Sequence, residues 1–291
     1  MIRTDARLRL VRPAVALALA LLAAGAHAAP AAAPAASAPA PLPLARVQAL
    51  IDSASHGLAQ AQSVFAGPGG LTGAVVTYKN DPGAPPSVIW VNDDASALLV
   101  GKLIGPKGED LDQQAARKIG LLLSPEKALA AAAQPATGAI LEGRKGPVLT
   151  MFIDPNCIYC HLLYQQLQPL LAQGRLRARY VLVAVVKQSS FRKAAAILSA
   201  RDPAAALALD QKNFNAQTEE GGIEPDAAPD KTVTDRIRSN SMLMAKAGGT
   251  GTPTLLYCST RGGVRMLGGM PRDMNQLLAE MASGPEPACG G

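Results

Sequence analysis

Cysteine is scarce in this chain, and its scarcity limits how the protein can be stabilised. Four cysteines stand among 291 residues, whereas exported domains that are built on disulfides carry cysteine at a much higher density. We therefore expect an ordinary apolar core to stabilise the fold. Each cysteine then needs an explanation of its own.

Long apolar runs and an excess of one charge are also missing from most of the chain. The apolar run AVALALALLAAGA at 14–26 is shorter than the roughly 20 residues that span a bilayer. The net charge is +6, and four arginines and one acidic residue lie within residues 1–28. The small remaining charge does not indicate a nucleic-acid or anionic-membrane partner. We expect a soluble mature protein that has no nucleic-acid partner.

The N-terminus has the features of a secretory signal peptide. Four arginines precede the apolar run, and Ala26-His27-Ala28 gives the small-x-small pattern of a cleavage site. A retained membrane anchor is the alternative. We predict export with cleavage near Ala28, so that all four cysteines enter an oxidising compartment in which disulfides persist.

The N-terminal part of the mature chain is predicted to be a small separate unit. Residues 29–43 are rich in proline and alanine and predict an extended tether. The stretch 44–65 has apolar residues at helical spacing, and three β-type runs follow before residue 108. A unit of this size at 44–108 buries little surface alone. Pairing with a second copy would bury more of its surface.

The rest of the chain is predicted to be a helical connector and an α/β domain. Residues 109–137 are rich in helix-forming residues. Residues 138–285 begin with a buried strand at 148–153, a helix and a second strand at 177–186, which is a βαβ unit. A mostly helical insertion is expected at about 190–247. Residues 286–291 form a short tail.

Cys157 and Cys160 form a C-x-x-C motif where a predicted buried strand meets a predicted helix. A helix N-terminus favours negative charge, and cysteines of such motifs have pKa values of about 3.5–7.5 rather than about 8.5. The thiolate is the form that attacks a disulfide sulfur. We predict a redox-active dithiol in which an exposed Cys157 attacks and a more buried Cys160, one turn later, resolves the mixed disulfide.

The same residues permit other interpretations, which we consider weaker. Cys157 to His161 also spell C-x-x-C-H, the pattern that attaches c-type haem, but small cytochromes do not place it between two β-type runs. A zinc site would need a second ligand pair, and a fixed structural disulfide is the remaining alternative. We expect no cofactor and no metal. His161 is expected to be partly exposed and to add positive charge near the sulfurs, or to have no role.

Several other residues are candidates for supporting roles. Thr252-Pro253 follows the flexible AGGTG and opens a predicted strand, which favours a cis peptide whose backbone binds an extended substrate; an ordinary trans proline is the alternative. Asp154 is predicted to cap the turn into the helix or to tune the ionisation of the nucleophile. Tyr159 is expected to affect packing and access. Cys258 and Cys289 are predicted to form a structural disulfide; two free thiols or an intermolecular bond are the alternatives.

With these residues placed, the chain resembles the DsbC/DsbG family of exported thiol:disulfide interchange proteins, and its DsbG branch in particular. The resemblance covers most of the mature chain. It rests on the following motifs: FAGPGGLTG, GKLIGPKGEDL, FIDPNCIYC, AAAILSARDPA, EEGG, SNSMLMAKAGGTGTP and LLY. Cys157, Cys160, Thr252 and Pro253 match the family's active positions.

The resemblance implies an α+β, cystatin-like N-terminal dimerisation domain, a linker helix, and an α/β thioredoxin-like domain with a helical insertion. It implies a periplasmic, V-shaped homodimer whose dithiols are kept reduced by a DsbD-type membrane reductase. The implied clients are misoxidised proteins, which undergo disulfide isomerisation or reduction, and proteins that carry a sulfenic acid on a single cysteine. The family thus implies a thiol-disulfide oxidoreductase and isomerase.

Some features depart from the family pattern or favour a rival function. Ile158 replaces the residue type usual at a position that tunes redox potential, and the cysteines Cys258 and Cys289 lie outside the shared motif, as does the Pro/Ala tether. A DsbA-like oxidant is the rival within the class, although an oxidant needs no dimerisation domain. A periplasmic chaperone or binding module with secondary redox activity is the rival outside it.

Overall fold

The computed structural model describes residues 40–81, 84–282 and 289. The predicted signal peptide, most of the Pro/Ala tether and most of the C-terminal tail therefore lie outside the described residues. Across the described ranges, no helix combines the length and the apolar character that crossing a bilayer requires.

The N-terminal region is one helix on a four-stranded antiparallel sheet. Val47 and Ile51 on the helix are almost fully buried and share a core with Ala74, Val76 and Ile89 of the sheet. The strands follow one another in the sheet in chain order, each antiparallel to the next. The elements are α1 (Leu44–Ser55), β1 (Ala59–Ala66), β2 (Thr72–Tyr78), β3 (Ser87–Val91) and β4 (Leu98–Leu99).

The helix predicted from the spacing in 44–65 is shorter than that stretch. His56 ends the helix at φ 52°, and Gly57 follows at φ 75°, so that two successive residues adopt the left-handed conformation. Such a pair turns the chain out of a right-handed helix. The residues beyond it, AQAQSVFA, form strand β1 against β2. The local helical spacing gave no sign of this turn.

Two short helices connect the N-terminal region to the second sheet. They are α2 (Leu111–Lys118) and α3 (Pro125–Ala132). The carboxylate of Asp110 accepts the backbone N–H of Gln113 at 2.9 Å, and the hydroxyl of Ser124 accepts that of Lys127 at 3.3 Å. Each helix therefore begins at a side chain that satisfies one of its free N–H groups.

The second sheet has five strands in the order β5-β7-β6-β8-β9. The central strand β6 pairs parallel with β7 and antiparallel with β8. The three-residue edge strand β5, which pairs antiparallel with β7, is too short for its pattern to predict. The strands are β5 (Ile140–Glu142), β6 (Val148–Ile153), β7 (Arg177–Leu182), β8 (Thr254–Cys258) and β9 (Val264–Gly268).

Helices cover both faces of this sheet, which explains why β6 is a continuous apolar run. Leu149 and Met151 of β6 belong to one core cluster, and Phe152, which points to the opposite face, belongs to another with Val181 and Leu256. A strand buried on both faces needs apolar residues at every position. The helices are α4 (Ile158–Ala172), α5 (Ser190–Ser199), α6 (Pro203–Lys212), α7 (Lys231–Ala247) and α8 (Met274–Glu280).

A leucine pair tests whether this sheet is the stabilising core. Leu149 in β6 is fully buried, whereas Leu141 in β5 is 48% exposed. We expect Leu149→Ala to lower the free energy of unfolding by about 2–5 kcal/mol because it leaves a cavity, and Leu141→Ala to change it by less than about 1 kcal/mol. The measurement is urea unfolding followed by circular dichroism, since the one tryptophan of the chain, Trp90, lies in the other sheet. Equal losses for the two variants would contradict the assignment of the core.

Candidate active site

Cys157 is the N-terminal cap of helix α4, directly after the loop that leaves β6. Its backbone is extended, with φ −86° and ψ 114°, and its sulfur accepts the backbone N–H of Cys160 at 3.3 Å. Its own N–H donates to the carbonyl of Asp154 at 3.1 Å. The sulfur therefore lies where the free N–H groups and the dipole of the helix favour a negative charge.

Both sulfurs of the motif are unpaired thiols, and both are buried. Cys157 is 5% exposed and Cys160 is 2% exposed. The expectation of an exposed Cys157 was therefore wrong. The loop before β8 lies against the Cys157 sulfur, which donates to the carbonyl of Thr252 at 3.2 Å.

The two thiols have opposite acid-base properties. The Cys160 thiol, which donates to the Cys157 sulfur, is the main cause that lowers the pKa of Cys157 to about 6; the Thr252 side chain and the backbone N–H groups of Tyr159 and Cys160 lower it further against the effect of burial. Burial raises the pKa of Cys160 well above the usual range of a thiol, and the neighbouring Cys157 raises it further. At neutral pH the site therefore holds one thiolate and one thiol.

The peptide bond between Thr252 and Pro253 is cis. The Thr252 carbonyl accepts a hydrogen bond from the Cys157 sulfur, and Pro253 leads directly into strand β8. The Thr252 hydroxyl is buried and has no hydrogen-bond partner among the residues that the structure describes. A free hydroxyl beside the sulfurs can donate to an anionic sulfur.

An open groove of about 410 Å³ runs past the Cys157 sulfur. Tyr159, between the two cysteines, is 58% exposed, and Val185 and Val186 on the opposite rim are 48% and 42% exposed. Exposed apolar residues around a reactive sulfur can bind the apolar side chains of an unfolded segment. The other lining residues are Ile158, Glu219, Met244 and the backbone of 249–252.

Asp154 is fully buried and does not cap helix α4. Its carboxylate accepts the N–H groups of Val185 and Val186 at 2.7 and 3.0 Å, and the hydroxyl of Ser190 at 2.7 Å. It also accepts the N–H of Asn156 at 2.9 Å, which forms a turn before the helix. Asp154 therefore caps the turn that leads into the helix, which is one of its two predicted roles, whereas the sulfur of Cys157 caps the helix itself. The same contacts end β7 earlier than predicted, since Val185 and Val186 donate to a side chain instead of a strand.

His161 is buried, in contrast to the partly exposed position that was expected. Its ring stacks on Phe214 with centroids 4.4 Å apart and 10° between the planes. Its two nitrogens lie 3.2 Å from Gln211 Oε1 and 3.0 Å from Gln165 Nε2. The insertion covers this face of α4, and His161 packs between the two elements.

Asn156 is a residue that the sequence analysis missed. It is fully buried directly before Cys157, and its amide donates to the hydroxyls of Ser189 and Ser190 while its carbonyl oxygen accepts the N–H of Gly221 at 2.9 Å. These contacts fasten the loop that carries the sulfur to the insertion. The signal that could have indicated it is a polar residue between a buried strand and the motif, where a free side chain would be costly.

The other two cysteines form a disulfide that lies away from the groove. Cys258, at the end of β8, is bonded to Cys289, with the Cα atoms 5.2 Å apart. A cross-link across 31 residues of sequence restricts the unfolded chain. The bond ties the C-terminal segment to the central sheet.

The family model described as a thioredoxin-like domain matches residues 136–282. The chain belongs to the thioredoxin-like family. It is also similar to two curated proteins named thiol:disulfide interchange protein DsbG. The one from Pseudomonas aeruginosa is 27% identical over 72% of this chain and 78% of the relative. The one from Escherichia coli is 29% identical over 71% of this chain and 80% of the relative.

The predicted resemblance to the DsbG branch is thereby confirmed, and the chain is a DsbG-like thiol-disulfide oxidoreductase. Among solved structures, the catalytic domain of Proteus mirabilis ScsC is 22% identical, with a TM-score of 0.41 over 53% of this chain and 96% of that domain. The Helicobacter pylori DsbG structure is 15% identical, with a TM-score of 0.36 over 72% of this chain and 98% of that one.

Replacement of Cys160 tests the origin of the low pKa of Cys157. Cys160→Ala removes the thiol that donates to the Cys157 sulfur, so we expect the midpoint of Cys157 ionisation to rise from about pH 6 toward the ordinary thiol value. Cys160→Ser keeps an O–H donor and is expected to raise the midpoint less. The measurement is the rate of alkylation of Cys157 as a function of pH, with the product located by mass spectrometry. Identical midpoints in all three proteins would contradict this origin.

Proposed function

We propose that this protein is a periplasmic, homodimeric disulfide isomerase and reductase in which Cys157 attacks client proteins and Cys160 resolves the product. The observation that carries the proposal is the asymmetry of the two thiols. The pKa of Cys157 is lowered to about 6 and that of Cys160 is raised well above its usual value. One sulfur is therefore ready to attack, and the other is held in reserve as a neutral thiol.

The chemistry follows from this asymmetry in balanced steps. The Cys157 thiolate attacks one sulfur of a client disulfide, a mixed disulfide forms, and the second client sulfur leaves as a thiolate. In isomerisation, another client thiolate attacks the mixed disulfide and releases the Cys157 thiolate, so that no electrons are consumed. In reduction, Cys160 loses its proton and attacks the Cys157 sulfur, and the client leaves with the two electrons of the dithiol.

The burial of Cys160 supports isomerisation over rapid reduction. Its sulfur must ionise before it can attack, and burial makes that ionisation costly. The mixed disulfide therefore persists long enough for a client thiolate to rearrange it. A sulfenic acid on a single client cysteine would react at the same sulfur: its hydroxyl group leaves as water after protonation, and the resulting mixed disulfide is resolved by Cys160.

The groove and the cis loop support a client that is at least locally unfolded. We propose that the Thr252-Pro253 backbone positions the client chain beside Cys157, and that Tyr159 and the rim valines bind its apolar side chains. Backbone contacts of this kind do not depend on client sequence. The arrangement suits a protein that acts on many misoxidised or sulfenylated partners.

The N-terminal region supports the proposed dimer. We propose that residues 44–108 form a cystatin-like dimerisation domain, that 109–137 link it to the catalytic domain at 138–285, and that two dithiols then face one cleft. Leu99, Val100 and Ile104 near the edge of its sheet are 46%, 70% and 53% exposed, and an apolar sheet edge is a surface that a second copy can cover. Export with cleavage near Ala28 and a DsbD-type reductase as electron donor complete the proposal.

Refolding of a client with scrambled disulfides tests the proposed roles. We expect Cys157→Ser to abolish the recovery of native client, because no mixed disulfide can form. Cys160→Ser is expected to retain part of the recovery while mixed disulfides with the client accumulate, since only the resolving step is lost. Activity that survives in the double variant Cys157→Ser, Cys160→Ser would instead indicate a chaperone.

The redox state of the exported protein separates an isomerase from an oxidant. We expect Cys157 to be mostly reduced when the cells are quenched with a thiol alkylator, because attack needs the thiolate. Cys258 and Cys289 serve as the internal control, since they are bonded to each other and should stay unlabelled. A mostly oxidised Cys157–Cys160 pair would overturn the isomerase in favour of a DsbA-like oxidant.

A further inference from the structure

The C-terminal end of helix α7 is capped by side chains and backbone from the connector. Three consecutive carbonyls at this end accept hydrogen bonds from it. The pairs are Lys246 O with Leu123 N at 2.8 Å, Ala247 O with Arg117 Nη2 at 3.0 Å, and Gly248 O with Gln113 Nε2 at 3.1 Å. The last carbonyls of a helix have no partners within it, and a cation near them also interacts favourably with the helix dipole.

The capped end leads straight into the loop that touches the reactive sulfur. Gly248 turns the chain at φ 96°, in a space where an added Cβ would lie 3.0 Å from Gln113 Oε1 and 3.2 Å from Arg117 Nη2. Four residues later, the carbonyl of Thr252 accepts a hydrogen bond from the Cys157 thiol at 3.2 Å. The Thr254 hydroxyl donates to Gly251 O at 2.7 Å within the same loop. A shift of the helix end would therefore be passed to Thr252 by a short, hydrogen-bonded segment.

Helix α2, which carries Gln113 and Arg117, is also fastened to the N-terminal sheet. The carboxylate of Asp112, next to Gln113, accepts the indole N–H of Trp90 from β3 and the N–H of Leu103 at 2.8 Å. Trp90 is 1% exposed and packs edge-on against Phe65 of β1, so the carboxylate of Asp112 is held by a buried side chain of this sheet. One short helix thus contacts the N-terminal sheet through Asp112 and the C-terminal end of helix α7 through Gln113 and Arg117.

We propose that Gln113 and Arg117 are positioning residues of the active site, through which the N-terminal region sets the contact between Thr252 and Cys157. The proposal rests on the proposed function only in taking Cys157 as the attacking sulfur. The coupling is local, since the path from Asp112 to Cys157 runs through hydrogen bonds and one loop. The N-terminal region then affects reactivity within a single chain, in addition to any part in dimerisation.

The test uses two glutamines that are adjacent on helix α2. Gln113→Glu replaces the N–H donor with a carboxylate of the same shape, which repels the Gly248 carbonyl, whereas Gln114 is exposed and Gln114→Glu adds the same charge without that contact. We expect the Cys157 pKa, followed by thiolate absorbance, to rise in Gln113→Glu by on the order of half a unit to one unit beyond the Gln114→Glu value. The reason is that a displaced loop carries away the Thr252 side chain, which lowers that pKa. Equal values in the two variants would overturn the proposal, because they would reduce the effect to added charge.

A second pair covers the case in which Gln113→Glu fails to fold, as judged by circular dichroism. The Cys157 pKa of Arg117→Met is compared with that of Lys118→Met, which removes a charge from the exposed side of the same helix. Arg117→Lys should reverse part of the change in the Cys157 pKa because it keeps a cationic donor. An unchanged Cys157 pKa in folded Arg117→Met would overturn the proposal. Thiol titration needs no client protein, so its result can be interpreted even if the isomerase assay fails. A failure of the proposed function can therefore be distinguished from a failure of this proposal.

Discussion

The sulfur of Cys157 occupies the position that a serine or aspartate oxygen takes at many helix N-termini. It accepts the backbone N–H of Cys160 and is stabilised by the thiol of that residue. An oxygen cap satisfies the helix and does nothing more, but a sulfur cap becomes a nucleophile when it loses its proton. The stability of the helix end and the reactivity of the site therefore come from the same contact. The rest of the domain keeps that contact in place.

Buried polar groups hold the loop on which this contact depends. Asp154 and Asn156, on either side of Pro155, bind the backbone and the hydroxyls at the start of α5 and a backbone N–H of the insertion. Each is fully buried and fully engaged, which is the condition under which buried polar residues define a single conformation. The insertion is thus part of the active site, although none of its helices carries a reactive group.

Local sequence patterns were sufficient to predict the junction of strand β6 and helix α4 at the motif, the cis proline loop and the disulfide partners. Each of these features depends on residues that are close in sequence or few in number. They were insufficient for the long-range contacts of Asp154 and for the burial of His161. The partners of these residues, Ser190, Gln211 and Phe214, lie some 35 to 55 positions further along the chain and reach them only when the insertion folds back. The end of helix α1 at His56 was missed although Gly57 follows directly, because the apolar spacing continues past this glycine to Leu58.

The central claim is that two thiols three residues apart differ in ionisation at neutral pH. The most direct measurement is NMR of the reduced protein with ¹³C at the cysteine Cβ atoms, because it follows each sulfur separately. The account predicts that the Cβ of Cys157 titrates with a midpoint near pH 6, while that of Cys160 shows no step until far into the alkaline range. Two Cβ signals that titrate together at the pKa of an ordinary thiol would contradict it.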